Sequence, residues 1–555
     1  MKKGIIRVIV VILVVCIGCG GYLAFSSDSR STASIKLEKG KKVEISIVDK
    51  GLSLKDESKK TIKHIRSEDI RYTYDVKKRF KLVGKLAVTV RKLDNGDMFV
   101  FTKVNNKGDE TFKANVRMPL ADVKQSKLHR IDSYGKVKQE ANSTFGVDVI
   151  THPIGVLQLD MRDGSENSVM LGKDYLSKEQ VKKYADGQKS VLREFQEEYE
   201  NLSQRHDKKK NHLELELGFK VKPSSLSENW FLISTDSLFA EKKQMDNWFK
   251  KTIREYSSLN SWYTAEGPYT KLPWSVEPGY KLGYGRNLGK VHGGVYLKEY
   301  EETKQRYFYD LVVNAIADLD VFSDGDLTKG KVPVFKTEYT STWLKKAYGT
   351  TAPYIDTRHN ENIALFLKDA GDDLNIPALK HANEIYADFL VGQKKIGNII
   401  EFGDNGFLVA DYYAPGSKKT HVSLNHALGE MRFLLEAYQS TRKESYLDTA
   451  RSMQEAIEFL YPKWVKPDGD LWYQINGEHV FAGNDYPWLT LVDLLRNQNA
   501  LEQLGMERSK VFDSLIRSKT NYIVENHKPI RKLAVDLLKA QGFGDLVAGY
   551  DNIIL

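Results

Sequence analysis

The hydrophobic period of this chain changes once, from two residues to between three and four, and that change constrains the fold more than any other feature. Ahead of about position 236 the apolar residues alternate, in Val43-Glu-Ile-Ser-Ile-Val, Leu86-Ala-Val-Thr-Val, Met98-Phe-Val-Phe-Thr, Gly146-Val-Asp-Val-Ile and Val156-Leu-Gln-Leu. Alternation places every second side chain on one face of an extended strand. Asn95-Gly96 between two such runs marks a hairpin, because both residues tolerate the positive φ that tight turns require. One charged stretch near 177–205 reads as a helix inside this β-rich part. Leu213-Glu-Leu-Glu-Leu and Trp230-Phe-Leu-Ile-Ser then return to strand.

Beyond 236 the period is helical, beginning with 238–258 and 300–319. Leu424, Leu428, Met431, Leu435 and Tyr438 step by three and four, and after Ser440-Thr441 the same stepping resumes at Leu447, Ala450, Met453, Ile457 and Leu460. That is an antiparallel helix pair. Similar pairs fit 358–391, with Gly371 stopping the first helix and Pro377 opening the second, and 486–523. Hairpins recurring about every 60–70 residues predict an (α/α) toroid, with a superhelical scaffold as the alternative. Scaffolds have short, regular linkers, whereas 392–423 and 461–485 are long, aromatic and glycine-rich. Such loops gather binding groups at one end of a helical barrel.

The N-terminus carries Lys2, Lys3 and Arg7 ahead of an uncharged run over 8–25. Cations before an apolar span predict a retained membrane anchor with the remainder extracytoplasmic; a lipoprotein signal at Cys19 competes. A polar spacer follows at 26–34. The expected fold class is therefore α+β, made of an anchor over 1–27, a β-rich domain over 28–236 and a toroid over 237–555. Both cysteines, Cys16 and Cys19, fall in the first segment, so the rest of the chain forms no disulfide.

A net charge of +9 suits an acidic polymer, and the 29 tyrosines suit sugars, whose C–H faces stack on rings while their hydroxyls bond phenols. No nucleic-acid motif is present. Gly283-Tyr-Gly285-Arg-Asn-Leu-Gly289 lacks the spacing of a phosphate loop and reads as a turn. No ligand cluster for zinc occurs and no cofactor is implied.

The long loops hold the chemistry. Asp411-Tyr412-Tyr413 leads through a Pro-containing loop to His421 and the helix start Leu424-Asn425. Gly469 is followed by Trp472-Tyr473 and Asn476, and Asp485-Tyr486 opens the last long hairpin. In that order and spacing, over about 350–510, these motifs resemble the C-terminal domain of the D-glucuronyl C5-epimerases. The resemblance implies inversion at C5 of uronic acid units in an acidic polysaccharide. That reaction needs a base, an acid and a donor array at the carboxylate. It implies Tyr473 and Tyr486 as a facing pair, Tyr412 or Tyr413 assisting and Asp411 orienting, with Arg358, His421, Asn425, Asn476 and Trp472 as substrate contacts. Where the family has an arginine after the glycine-rich turn this chain has Asn476, so Arg358, in Tyr354-Ile-Asp356-Thr-Arg358-His359, is the alternative clamp. A phenol titrates near ~10, so a tyrosine base would need cations or donors beside it, for which Arg358, His421, His426 and His479 are available. A uronate lyase shares the first step. Glycoside hydrolysis would instead use two carboxylates from Asp404, Asp411, Glu430, Asp470, Glu478 and Asp485, and a non-catalytic glycan-binding module is the third reading.

Overall fold

A computed structural model describes residues 32–37, 41–49, 51–291 and 293–554. The long strands run β1 Thr32–Lys36, β2 Lys42–Ile47, β3 Leu52–His64, β4 Ser67–Lys78, β5 Lys81–Leu93, β6 Met98–Asn106, β7 Phe112–Leu120, β8 Val123–Arg130, β9 Gly155–Met161, β10 Glu166–Leu171, β11 Asp174–Lys183, β12 Lys189–Tyr199, β13 Leu202–Asp207, β14 His212–Val221 and β15 Leu226–Ser234. They form two antiparallel sheets. The smaller has the order β1-β2-β7-β14-β13. The larger runs β12-β11-β15-β6-β5-β4-β3, with β10, β9 and β8 branching from the far half of β15, and it is extended past β12 by the short strands β16 Thr270–Lys271 and β17 Gly283–Gly285.

Alternation explains the stacking. Met98, Val100 and Val104 of β6 enter a core shared with Val43, Ile45, Val116 and Leu215 of the smaller sheet, while Phe99 and Phe101 enter a second core with Trp230 and the helices behind. At the β5–β6 turn, Leu93 and Asp97 share a backbone hydrogen bond of 2.8 Å around Gly96 at φ 89°, a bulged turn that glycine fits.

The helices are α1 Lys242–Arg254, α2 Gly294–Thr303, α3 Arg306–Phe322, α4 Thr342–Tyr348, α5 Thr357–Asp373, α6 Ala382–Lys395, α7 Leu424–Thr441, α8 Glu444–Phe459, α9 Leu489–Gln503, α10 Lys510–Glu525 and α11 Lys532–Ala540. The inner helices α5, α7, α9 and α11 each pack on the next, with α6, α8 and α10 behind them. At the α5 end, α2 bridges to α3, which lies on β4 and β5 of the large sheet.

The expected fold class is corrected on two points. The charged stretch near 177–205 is not a helix but the ladder of β11 with β12 followed by β13, in register from Asp174 opposite Tyr199 to Lys183 opposite Lys189. Its Lys, Glu and Gln favour helix only weakly, and a free sheet edge at β15 outweighs that preference. The helical part is an arc of hairpins whose α5 end is carried, through α2 and α3, on the sheet, where a toroid would place a further hairpin. Among the described residues no helix is long and apolar enough to cross a membrane, and the expected span over 1–27 lies outside the described residues.

Candidate functional site

Two small antiparallel ladders draw the long loops together. Strand β18, Ile355–Asp356, pairs with β19, Tyr412–Tyr413, and β20, Val422–Ser423, pairs with β21, Trp472–Ile475, which turns into β22, Phe481–Asn484. Asp356 thereby lies opposite Tyr412, and Ser423 opposite Gln474. Side chains alternate along these strands, so Tyr412 and Tyr413 diverge, as do Trp472 and Tyr473.

At the centre is Asp411, fully buried. The Ser423 backbone N–H donates to its Oδ1 at 2.8 Å and the Ser423 hydroxyl to Oδ2 at 2.6 Å. His421 Nε2 lies 3.2 Å from Oδ2 and His426 Nδ1 lies 3.8 Å from Oδ1. Burial works against the carboxylate, yet the adjoining His426 and His421 and the bonds from His421 and Ser423 hold it below the ordinary range. His426 Nδ1 also meets the Thr357 hydroxyl at 2.9 Å. Among the described residues its Nε2 has no partner.

Around this carboxylate stand the rings. The Tyr473 and Tyr486 centroids are 5.8 Å apart and nearly perpendicular. Tyr473 is 6.1 Å from His421, and Tyr412 is 5.9 Å from His421 and 6.1 Å from His426. Tyr486 is 45% exposed and so faces solvent, whereas His421 is wholly buried. Burial, reinforced by Asp411 and its neighbours, pushes the phenols of Tyr473, Tyr486 and Tyr412 upward. They hold their protons at neutral pH. The phenolate base considered from sequence finds carboxylates beside it instead of the cations it needs.

Other named residues go elsewhere. Both Asp493 oxygens accept from Arg358 Nη2, at 3.1 and 3.0 Å, while Nη1 donates to Glu361 at 2.9 Å and to the Asn425 carbonyl at 3.3 Å. Arg432 closes this buried network by donating to Glu361 at 2.7 Å. Arg358 is thus a structural tie between α5, α7 and α9, not a free clamp. Asn425 is buried in the first turn of α7. Asn476 forms the β21–β22 turn, its side chain accepting from the N–H groups of Glu478 and Val480. Trp472 packs on the helical core beneath Lys466, Tyr413 makes its ladder with Ile355, and His479 lies against Phe402. Asp485 is buried beside Lys519 at 2.8 Å, with Asp470 on the same ammonium at 2.5 Å.

Sequence reasoning missed three aromatic neighbours. Trp343 and Tyr348 of α4 approach His421 at 5.1 and 5.9 Å, and Tyr354 meets Tyr412 at 5.8 Å. Trp343 is 43% exposed, a ring at the rim such as a sugar face would use. Nothing in the local sequence around Trp343 signals this; it arrives because α4 packs over the loop that carries His421. Among the described residues no group of three or more His, Cys, Asp or Glu side chains could hold a metal ion.

No family model matches the chain, and no curated protein matches it by sequence. Among solved structures it is similar to a sugar epimerase from a ruminal bacterium, at 13% identity over 39% of this chain and 52% of that one, with a TM-score of 0.29. Similar too is the cellobiose 2-epimerase of Bacillus thermoamylovorans, at 15% identity over 51% and 70% with a TM-score of 0.36. An alpha-1,6-mannanase of Salegentibacter shares 11% identity over 49% and 68%, with a TM-score of 0.33. The chain spans about half the length of the ruminal enzyme. The solved structures it is similar to are thus sugar epimerases and glycoside hydrolases, while the likeness to glucuronyl C5-epimerases rests on the sequence motifs alone.

Proposed function

We propose that this protein is a carbohydrate-modifying enzyme that moves a proton at a ring carbon, with C5-epimerisation of uronic acid units in an acidic polysaccharide as its reaction. The observation that carries this reading is the pairing of an imidazole backed by a buried carboxylate with phenols that keep their protons. With Nδ1–H given to Thr357, His426 presents the Nε2 lone pair and accepts H5, and Asp411 stabilises the imidazolium that forms. The electrons of the broken C5–H bond move into the carboxylate of the sugar as an enolate. A neutral phenol, Tyr473 or Tyr486, then returns a proton to C5. Since Arg358 is held by Asp493 and Glu361, stabilisation of the enolate falls to neutral O–H donors. Hydrolysis is the weaker reading, because Asp411 and Asp485, the pair among its candidate carboxylates nearest the tyrosines in sequence, are held by Ser423 and Lys519.

The test is isotope exchange. In deuterated water a uronate polymer should acquire deuterium at C5. Tyr473→Phe and His426→Gln should each slow this by about a hundredfold, the scale of lost acid or base assistance, while Tyr413→Phe leaves it unchanged. An unsaturated product would shift the reading to a lyase, which takes the same first step. Reducing ends released without C5 exchange would overturn it.

A further inference from the structure

A groove of about 700 Å³ lies between the β11–β12 edge of the large sheet and the segment that links α3 to α4. The pleat builds one wall from rim to floor: Lys189, Val191 and Arg193 are alternate residues of β12 and share one face, with Glu179 of β11 opposite Arg193. Arg193 is 1% exposed, and its Nε and Nη1 have no hydrogen-bond partner. Two carboxylates pair with the guanidinium at long range, Glu179 at 3.4 Å from Nη1 and Glu228 accepting from Nη2 at 3.5 Å, and the Tyr269 ring lies 5.0 Å from it. The other cations of the floor are satisfied, Arg286 by Glu338 and Lys103 by Glu266 at 3.3 Å. Lys189 and Lys336 at the rim are exposed and form no ion pair among the described residues. Buried donors left open are rare in folded chains, and a guanidinium fork matches a carboxylate.

We infer that this groove binds a carboxylate-bearing sugar unit, with the open N–H groups of Arg193 on the carboxylate and Lys189 and Lys336 drawing the polymer in. Its size fits a saccharide better than a bare ion. Its position fits as well: Pro353 is part of the wall, and the next residue, Tyr354, packs on Tyr412 of the candidate site. One polymer can therefore lie in the groove and present a neighbouring unit to the tyrosines. The choice of a sugar as the carrier of the carboxylate rests on the proposed function; the anion site itself does not.

Calorimetric titration of the full chain separates the two. A uronate hexasaccharide should bind, a neutral hexasaccharide of equal length should bind much more weakly, and inorganic phosphate should not displace the uronate at equal charge concentration. Lys189→Glu with Lys336→Glu should weaken uronate binding about tenfold at an unchanged melting temperature, and Arg193→Gln should weaken it as much at a lower melting temperature, because it leaves Glu228 buried without its partner. If Arg193→Gln does not fold, the rim variant decides. Unchanged affinity in the rim variant overturns the proposal, and displacement by phosphate reduces the groove to a small-anion site and overturns the sugar assignment. Binding lost in the rim variant while the wild type shows no C5 exchange would leave the groove standing and the proton-transfer reading fallen.

Discussion

Asp411 organises the candidate site more than any single tyrosine, since both its oxygens are engaged and two imidazoles lean on it. Its carboxyl is held below the ordinary range in the folded chain, so the folded state binds that proton more weakly than the unfolded one. The sign follows. Stabilisation is fully present above the unfolded value, near pH ~4, and is lost as pH falls through the folded value. Asp411→Asn removes it at every pH. We expect the variant to be less stable by about 3 kcal/mol at pH 7, with the gap to the wild type closing on acidification below pH ~4. Urea unfolding at pH 7 and pH 3 measures both, and a gap of constant size would show that the charge of Asp411 is not what stabilises the loop.

At the level of elements, α5 and α7 meet through a glycine. A Cβ on Gly429 would sit 1.8 Å from Arg358 Nη1 and 2.4 Å from Glu361 Oε2, so the helix surface is open there to admit the ion pair. Gly429→Ala gains about 1 kcal/mol of helix propensity but must displace a buried pair, whose disruption costs about 3–5 kcal/mol. A net loss of about 3 kcal/mol in denaturant stability is expected, and a variant as stable as the wild type would show that the network repacks freely. Gly371 teaches a related lesson. The periodicity suggests that it stops a helix, yet α5 runs through it to Asp373, and the missing side chain admits the backbone at Leu379, 2.7 Å from where a Cβ would lie. Glycine inside a helix reads as a stop from sequence because the neighbour that needs the space is not visible there.

For the molecule as a whole, sheet and helices share one core. Phe99, Phe101 and Trp230 of the large sheet are packed with Trp248, Phe249, Phe308 and Leu311 of α1 and α3. Arg91 of β5, fully buried, binds Asp69 of β4 at 2.8 Å and Asp318 of α3 at 2.5 Å, and His64 of β3 binds Asp320 at 2.6 Å. A chain cut at 236 would expose the aromatic face of α1 and α3 and strip Asp318 of its guanidinium. Residues 237–555 alone are therefore expected to aggregate, or to elute as large species in size-exclusion chromatography. A monomeric, cooperatively melting fragment would show that the sheet is dispensable to the helices.

The sequence by itself determined which segments are strands and helices wherever one face is apolar, because burial imposes a period that needs no knowledge of the partner. It also placed Asp411, Tyr412, His421 and Tyr473 on long loops and Tyr486 at the helix start that follows, from composition and order. The charged residues of β11 and β12 escaped that reading, since their strand state comes from a sheet edge supplied by β15, far along the chain. The tertiary structure alone decided that Arg358 answers Asp493 and not a ligand, that Trp343 and Tyr354 join the site, and that Arg193 opens onto a groove. Each of these is a pairing across long sequence separations. Charge and ring contacts have no periodicity to announce them, and are set only when packing brings the partners within reach.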